Sequence, residues 1–366
     1  MKWLLSMRAS SIGPRCAMTR SLIFEVLIVD HIGIDIGSRE SQVCVCNDAG
    51  EVIEEVRCKT GDLSSVLAGR AKSRVIVETC TEAFRIADAA IAEGHEVRVV
   101  PATLVRSLGV GQRRIKNDER DARVLSQASS RIELPSVHIP STTSREWKAL
   151  STSREALVRA RTQLISTIRC YVRSRRSAAL RATPESLPPK VRTALLGTEG
   201  GLPEHIERVL VVLESLNEQI AAAAKELAEL AENNELTRRL MTTPGVGPVT
   251  AVRFVAAIDK VERFPSGTFV ASYLGLTPGE NTTGFRTKRT RLTKAGAPEV
   301  RWALGQAAWS IFLQRKESPM ARWAKRVAAR RGRQVAITAL ARKLSQVLYA
   351  LWRDGTTYSS EKAQVH

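Results

Sequence analysis

The sequence predicts a mixed α/β sheet domain at the front of the chain, joined to a mainly helical back half. Three observations predict it: three short strand-like runs in succession after residue 30, strands alternating with helices over residues 63–101, and helical periodicity from about residue 142 to 352. The runs read HIGIDIGS, SQVCVCND and EVIEEVRCKT, with short Gly-, Asp- and Asn-containing turns between them. That spacing describes a three-stranded meander.

A helix-like stretch at residues 63–70 leads to the strand RVIVETC, the helix TEAFRIADAAIAEG and the strand HEVRVVPA. Strands separated by a helix pair in parallel. Three antiparallel strands followed by β-α-β is the order of a ribonuclease H-like mixed sheet. Residues 142–178 are helical and basic, and a second long helix begins after a Pro/Gly-rich break at residues 184–203. Its apolar positions follow sevens: Ile206, Leu213, Ile220 and Leu227 form one row, Val209, Leu216, Ala223 and Leu230 the other. Such a seam makes a coiled-coil hairpin within the chain or a contact between two chains. The expected organisation is a disordered leader over residues 1–30, the sheet domain over 31–138, a helical coiled-coil region over 139–235, a mainly helical C-terminal domain over 236–352 and a polar, frayed tail over 353–366.

The chain's 56 Lys and Arg stand against 37 Asp and Glu, a net charge of +19 over 366 residues. Such an excess favours a polyanion, and nucleic acid is the partner it fits. A membrane surface also attracts such a charge, but no run of about 18 apolar residues exists to span a bilayer, so no membrane partner is expected, and the patch at residues 22–29 has no small-residue cleavage site after it. The six cysteines include no CxxC pair and the five histidines are scattered, which argues against a zinc site, and the cysteine spacing does not resemble a disulfide framework. Cys44 and Cys46 alternate in a strand and read as packed, reduced thiols of a cytoplasmic protein.

Four acids stand out. Asp35 lies inside the apolar run GIDIG, where a carboxylate is costly to bury unless it binds a cation or is otherwise paired. Glu78 ends VIVE on a strand expected beside the first. Asp118 and Asp121 in KNDERDARVL are three apart at a helix start, which places them on one face; capping and compensation of the helix dipole are the plainer account of acids there. As a set they supply hard oxygen ligands suited to Mg²⁺ or Mn²⁺, the ions used for phosphodiester chemistry. Glu82 and then Glu119 are the alternatives within the set.

In the back half, LMTTPGVGPVTAVRFVAAI has the form of a helix-hairpin-helix, with Gly245 and Gly247 free to bring backbone amides to a DNA phosphate. An ordinary interhelical turn is the competing account. Arg286, Lys288, Arg289, Arg291, Lys294 and Arg301 then crowd a loop-rich segment and read as nucleic-acid contacts, while ARWAKRVAARRGR is equally compatible with a solvated helix face.

In order along residues 32–352, the motifs GIDIG, VETC, KNDERDA, TPGVGPVTA, YLGLTP, TTGFRTKRTRLTKAG and VAITALARKL resemble the DEDD transposases of bacterial insertion sequences, insertion sequence family one-ten, whose relatives include Piv-type DNA invertases. The resemblance implies a RuvC-like, metal-dependent front domain with its metal-binding acids on Asp35, Glu78, Asp118 and Asp121. It also implies that a hydroxyl of the C-terminal domain attacks DNA to form a covalent intermediate, that the acidic and hydroxyl sites come from different protomers of a dimer or tetramer, and that a structured RNA encoded beside the gene acts as guide. Where the family carries Ser-Ser-Gly or Ser-Gly, this chain has Thr282-Thr283-Gly284. Thr283 is the aligned nucleophile, with Thr282 and Ser272 as alternatives; a branched hydroxyl is more hindered than that of serine. Arg286, Lys288 and Arg289 would steady phosphate charge beside it. The expected activity is cleavage and rejoining of DNA strands for transposition. A Holliday-junction-type nuclease and a decayed, non-catalytic nucleic-acid-binding protein are the rival readings.

Overall fold

The computed structural model describes residues 29–107, 118–175, 180–196, 200–283, 286–314 and 318–359. All but the last two residues of the expected leader, and residues 360–366 of the expected tail, lie outside them. The chain forms two units, one ending at Ile139 and the other beginning at Pro140.

The first unit runs β1 (His31–Asp35), β2 (Glu40–Cys46), β3 (Val52–Lys59), α1 (Leu63–Leu67), β4 (Arg74–Glu78), α2 (Ala83–Ala92), β5 (Glu96–Val100), α3 (Ala102–Ser107) and α4 (Asp118–Arg131). The strands form one mixed sheet in the order β3-β2-β1-β4-β5. β1–β2 and β2–β3 pair antiparallel, β1–β4 and β4–β5 parallel. The meander and the later crossover expected from the sequence are both present.

β1 is the central strand and is covered on both faces, which is why it reads as an almost continuous apolar run. Alternation along the strands sorts the two faces. Ile32, Ile34, Val75 and Val77 pack with Ile86, Ala87 and Ala90 of α2. On the other face, Ile76 packs with Leu125 of α4, and Cys44 and Cys46 with Ala122. Gly33 lies on the α4 face, where a β-carbon would fall 2.2 Å from the Ala122 carbonyl oxygen and 2.6 Å from the Ser126 nitrogen. The missing side chain lets α4 rest directly on the β1 backbone. A buried polar chain fastens the same contact: the His31 Nδ1 is 2.8 Å from Ser129 Oγ of α4, and its Nε2 is 3.1 Å from Asp48 Oδ1.

The paired thiols are buried, with Cys44 Sγ 4.0 Å from Cys46 Sγ and Cys46 Sγ 3.1 Å from Ser126 Oγ. Burial pushes the Cys44 thiol up to about 11 from its ordinary 9.0, and the neighbouring Cys46 adds to the rise. The folded state therefore holds this thiol neutral, and the stability this contributes is fully present below the unfolded value of 9.0 and is lost as pH rises from there through about 11. Alkylation of the native protein at pH 8, followed by peptide mass spectrometry, is expected to modify the exposed Cys80 and Cys170 while Cys44 and Cys46 react only after unfolding.

The second unit comprises α5 (Thr142–Arg175), α6 (Leu187–Leu196), α7 (Glu204–Asn233), α8 (Glu235–Met241), α9 (Pro248–Ile258), α10 (Gly267–Tyr273), β6 (Pro278–Thr283), β7 (Arg286–Leu292), α11 (Pro298–Gln314), α12 (Pro319–Arg331) and α13 (Arg333–Asp354). α5 and α7 lie antiparallel: Ile165, Ile168 and Val172 near the end of α5 meet Ile206, Leu210 and Leu213 near the start of α7. At the other end, Trp147 and Leu150 meet Leu227 and Ala231. The row Ile206, Leu213, Ile220 and Leu227 is buried, whereas Val209, Leu216, Ala223 and Leu230 are only partly so. A hairpin partner covers one row of the seam from within the chain.

Arg192 of α6 clamps this region by hydrogen bonding to both Glu207 and Glu214 of α7, with Nη2 2.7 Å from Glu207 Oε1. Fork geometry of this kind suits arginine. The remaining helices share one core around α9 and α13, built from Phe254, Ile258, Leu304, Ile311, Leu340, Leu344 and Leu348. The chain beyond α13 turns back onto this core rather than fraying at once: the Tyr358 amide donates to Thr242 Oγ1 at 2.9 Å and its partly buried ring packs there. An aromatic ring in a polar tail is enough to hold it. Among the described residues no helix is long and apolar enough to cross a membrane.

Candidate active site

Asp35 and Glu78 are the last residues of β1 and β4. The register of these parallel neighbours pairs Ile34 with Val77, so the next step along each strand sets Asp35 beside Glu78. Alternation puts Asp35 on the same face as Gly33, and Glu78 on the same face as Ile76. That is the face covered by α4, where Asp121 directly precedes the Ala122 carbonyl that lies against Gly33. Asp35, Glu78 and Asp121 are each half-buried.

Thus three acids come from three elements to one face of the sheet, at the carboxyl end of its central strands. Strand ends of this kind, where neighbouring connections diverge, are where open α/β sheets place ligands. Asp118 opens α4, one helical turn before Asp121, and its side chain lies outside the described residues, as does that of Glu119. Among the described residues no three Asp, Glu, His or Cys side chains stand close enough to form a cation cage. Glu82 does not join the set. It precedes α2, which covers the opposite face, and is ion-paired with Arg85 at 2.7 Å.

In the second unit, β6 and β7 form an antiparallel ribbon pairing Thr283 with Arg286, Thr282 with Thr287, Asn281 with Lys288 and Glu280 with Arg289. The backbone therefore sets Thr283 at the tip of the ribbon with Arg286 across from it. The side chains of residues 281–289 lie outside the described ones, and so does the whole of Gly284 and Phe285. Arg291 and Lys294 are exposed at the base of the ribbon. Ser272 sits in α10, apart from the tip in sequence and element.

Arg301 has a different environment from these cations. Its Nη1 donates to the carbonyls of Leu274, Ala295 and Gly296 at 3.2, 2.6 and 3.0 Å, joining the loop after α10 to the loop before α11. That engagement is structural. Gly245 also has a packing reason to be glycine: its φ is +77° and a β-carbon would fall 2.7 Å from the Ala307 carbonyl oxygen of α11. Gly247, by contrast, has open space where a β-carbon would stand, immediately before Pro248 opens α9. Of the two glycines, Gly247 is the one placed at an accessible helix N-terminus.

Sequence reasoning passed over Arg253, which interrupts the apolar run of α9 and is only 3% exposed. A charge within TAVRFVAAI was the available signal. Its guanidinium bonds Ser151 Oγ at 2.7 Å and Glu155 Oε2 at 3.0 Å of α5. Burial, and then the nearby Arg253, hold Arg154 below the ordinary arginine range.

Comparison with known proteins matches a family model within each half of the chain. A DEDD transposase model of the IS110 type matches residues 32–174, and the model described as "Transposase IS116/IS110/IS902 family" matches residues 237–324. The chain is 28% identical over 337 residues to the transposase for insertion sequence element IS1111A of Coxiella burnetii, covering 89% of this chain and 90% of that protein. It is 27% identical to the transposase for insertion sequence element IS1328 of Yersinia enterocolitica, covering 90% and 99%, and 24% identical to a probable family 20 transposase of Pseudomonas aeruginosa, covering 90% and 98%. With the acid-bearing sheet under one model and the ribbon and glycine turn under the other, the chain belongs to the IS110-type DEDD family of insertion-sequence transposases.

Proposed function

We propose that the protein cuts and rejoins DNA strands at the ends of an insertion sequence, using a ribonuclease H-like acidic site in its first unit and a hydroxyl on the β6–β7 ribbon of its second. The observation that carries this reading is the placement of Asp35, Glu78 and Asp121 on one face at the carboxyl end of adjacent strands. Carboxylates on strand ends and on a helix set against them are a hard-oxygen donor set that fits Mg²⁺ or Mn²⁺, with Asp118 as the fourth member. A divalent ion held there would supply Lewis-acid assistance to an attacking and a leaving oxygen of a phosphodiester.

The chain's own residues would do the rest. The acids hold their positions because α4 is pressed onto β1. The Thr283 hydroxyl attacks the phosphorus: its O–P bond forms as the bond from phosphorus to one deoxyribose oxygen breaks, and its proton ends on that leaving oxygen. Arg286, Lys288 and Arg289 lie beside it along the ribbon and offset the charge gathering on the phosphate. The turn at Gly247 and the cations Arg291 and Lys294 grip the backbone without reading sequence. A structured guide RNA and assembly into a dimer or tetramer belong to the same reading, supported by the family resemblance and by the +19 charge.

The test is strand cleavage on a plasmid carrying the element's ends, with its flanking RNA and Mg²⁺. The wild-type protein is expected to leave a protein–DNA adduct, Thr283→Ala to leave none, and Thr283→Ser to restore it. Cleavage by Thr283→Ala without an adduct would replace this reading with a hydrolytic nuclease. Tight binding of DNA with no cleavage by the wild type would replace it with a non-catalytic binding protein.

A further inference from the structure

We infer that the second unit carries a pocket for a single unpaired purine base of its nucleic-acid substrate. This rests on the proposed action on nucleic acid and adds a recognition site to it. The pocket has a volume of about 380 Å³ and lies between α5, α9 and α11, with Glu155 and Arg159, Arg253, and Pro298, Glu299 and Trp302 in its walls. Ligand sites start at roughly this size.

Two buried polar atoms in these walls lack partners among the described residues: Arg253 Nη1 and Glu299 Oε2. Arg253 is 3% exposed, and its other nitrogens are engaged by Ser151 and Glu155. Buried hydrogen-bonding groups left open destabilise a fold, so a donor and an acceptor open in one cavity call for a ligand that offers the complement of both. A phosphate offers acceptors alone and would meet the carboxylates of Glu155 and Glu299. The edge of a nucleobase offers acceptor and donor side by side. A purine presents ring or carbonyl acceptors to an arginine and an amino or imino hydrogen to a carboxylate.

Trp302 supplies the third requirement. Trp302 is 51% exposed, and its ring stands 5.7 Å from the Arg253 guanidinium. An open indole beside such a pair is a stacking platform, and the larger purine ring gains more from it. The exposed Arg159 at the edge suits the phosphate of the same nucleotide. In a duplex both the pairing edge and the stacking faces of a base are already occupied, so the base enters unpaired or flipped from its stack.

The full-length protein should be titrated with a duplex carrying one bulged 2-aminopurine, the same duplex with a bulged thymine, and a fully paired duplex. The expected result is roughly tenfold tighter binding of the purine bulge, with quenched 2-aminopurine emission. Trp302→Ala should abolish the quenching and the preference, and Glu299→Gln should weaken the preference without touching the stacking face. Equal binding of all three duplexes by the wild type, or quenching unchanged in Trp302→Ala, overturns the pocket while leaving the proposed action on DNA intact. Failure to bind any of the three overturns both.

Discussion

Asp35→Asn is expected to lower metal-dependent DNA cleavage by about a thousandfold or more, with binding of the uncut duplex retained. The substitution keeps the shape of the side chain and removes its charge, so the half-buried strand end need not repack. What disappears is one anionic donor of the set proposed above to hold a cation, and such ions contribute several kcal/mol to phosphodiester transition states. The measurement is single-turnover cleavage across a Mg²⁺ titration, beside binding in EDTA. Cleavage within tenfold of the wild type would remove Asp35 from the site and shift weight to Glu119 as the missing acid.

Gly33→Ala should unsettle the same site without changing any of its charges. The new β-carbon would fall 2.2 Å from the Ala122 carbonyl oxygen and 2.6 Å from the Ser126 nitrogen, both backbone atoms of α4 that cannot rotate aside. The helix must lift from the sheet, at a cost of about 1–3 kcal/mol in overpacking. Asp121 moves with it, and a displacement of about 1 Å in a catalytic group can cost on the order of a hundredfold in rate. Thermal unfolding and cleavage are both expected to fall. Gly61→Ala is the control, since nothing stands within 4 Å of its β-carbon. A Gly33→Ala protein with unchanged unfolding temperature and full cleavage would mean that close seating of α4 does not set the geometry of the acids.

Local pattern was enough for most of the elements, though α6 forms inside the Pro/Gly-rich stretch read as a break and β7 inside the segment read as loop-rich. Short apolar runs announce β1 and β2, and of the two rows that the sevens of α7 describe, the structure buries Ile206, Leu213, Ile220 and Leu227 and only partly buries the other. The crowded cations of the ribbon and the acids of GIDIG, VIVE and KNDERDA were equally open to view, because ionisable side chains in apolar or glycine-rich runs are visible without any partner. The order of the motifs was visible too, and it leads to the same family as the comparisons with known proteins.

Composition and period, which repeat over short stretches of chain, thus determined most of the strands and helices and the basic character, while the motifs in their order carried the resemblance to the family. Contacts between distant residues were left to the tertiary structure. It decided that Asp35 and Glu78 end adjacent parallel strands, that Gly33 is bare because α4 lies on it, and that Gly245 is bare because α11 does. It also turned Arg301 from one more cation in a basic segment into a clamp on three carbonyls, and Arg253 from a break in an apolar run into a buried donor with an open hydrogen. The physical reason is the same in each case: a side chain's chemistry is local, but its burial and its partners depend on elements that the chain brings together only by folding.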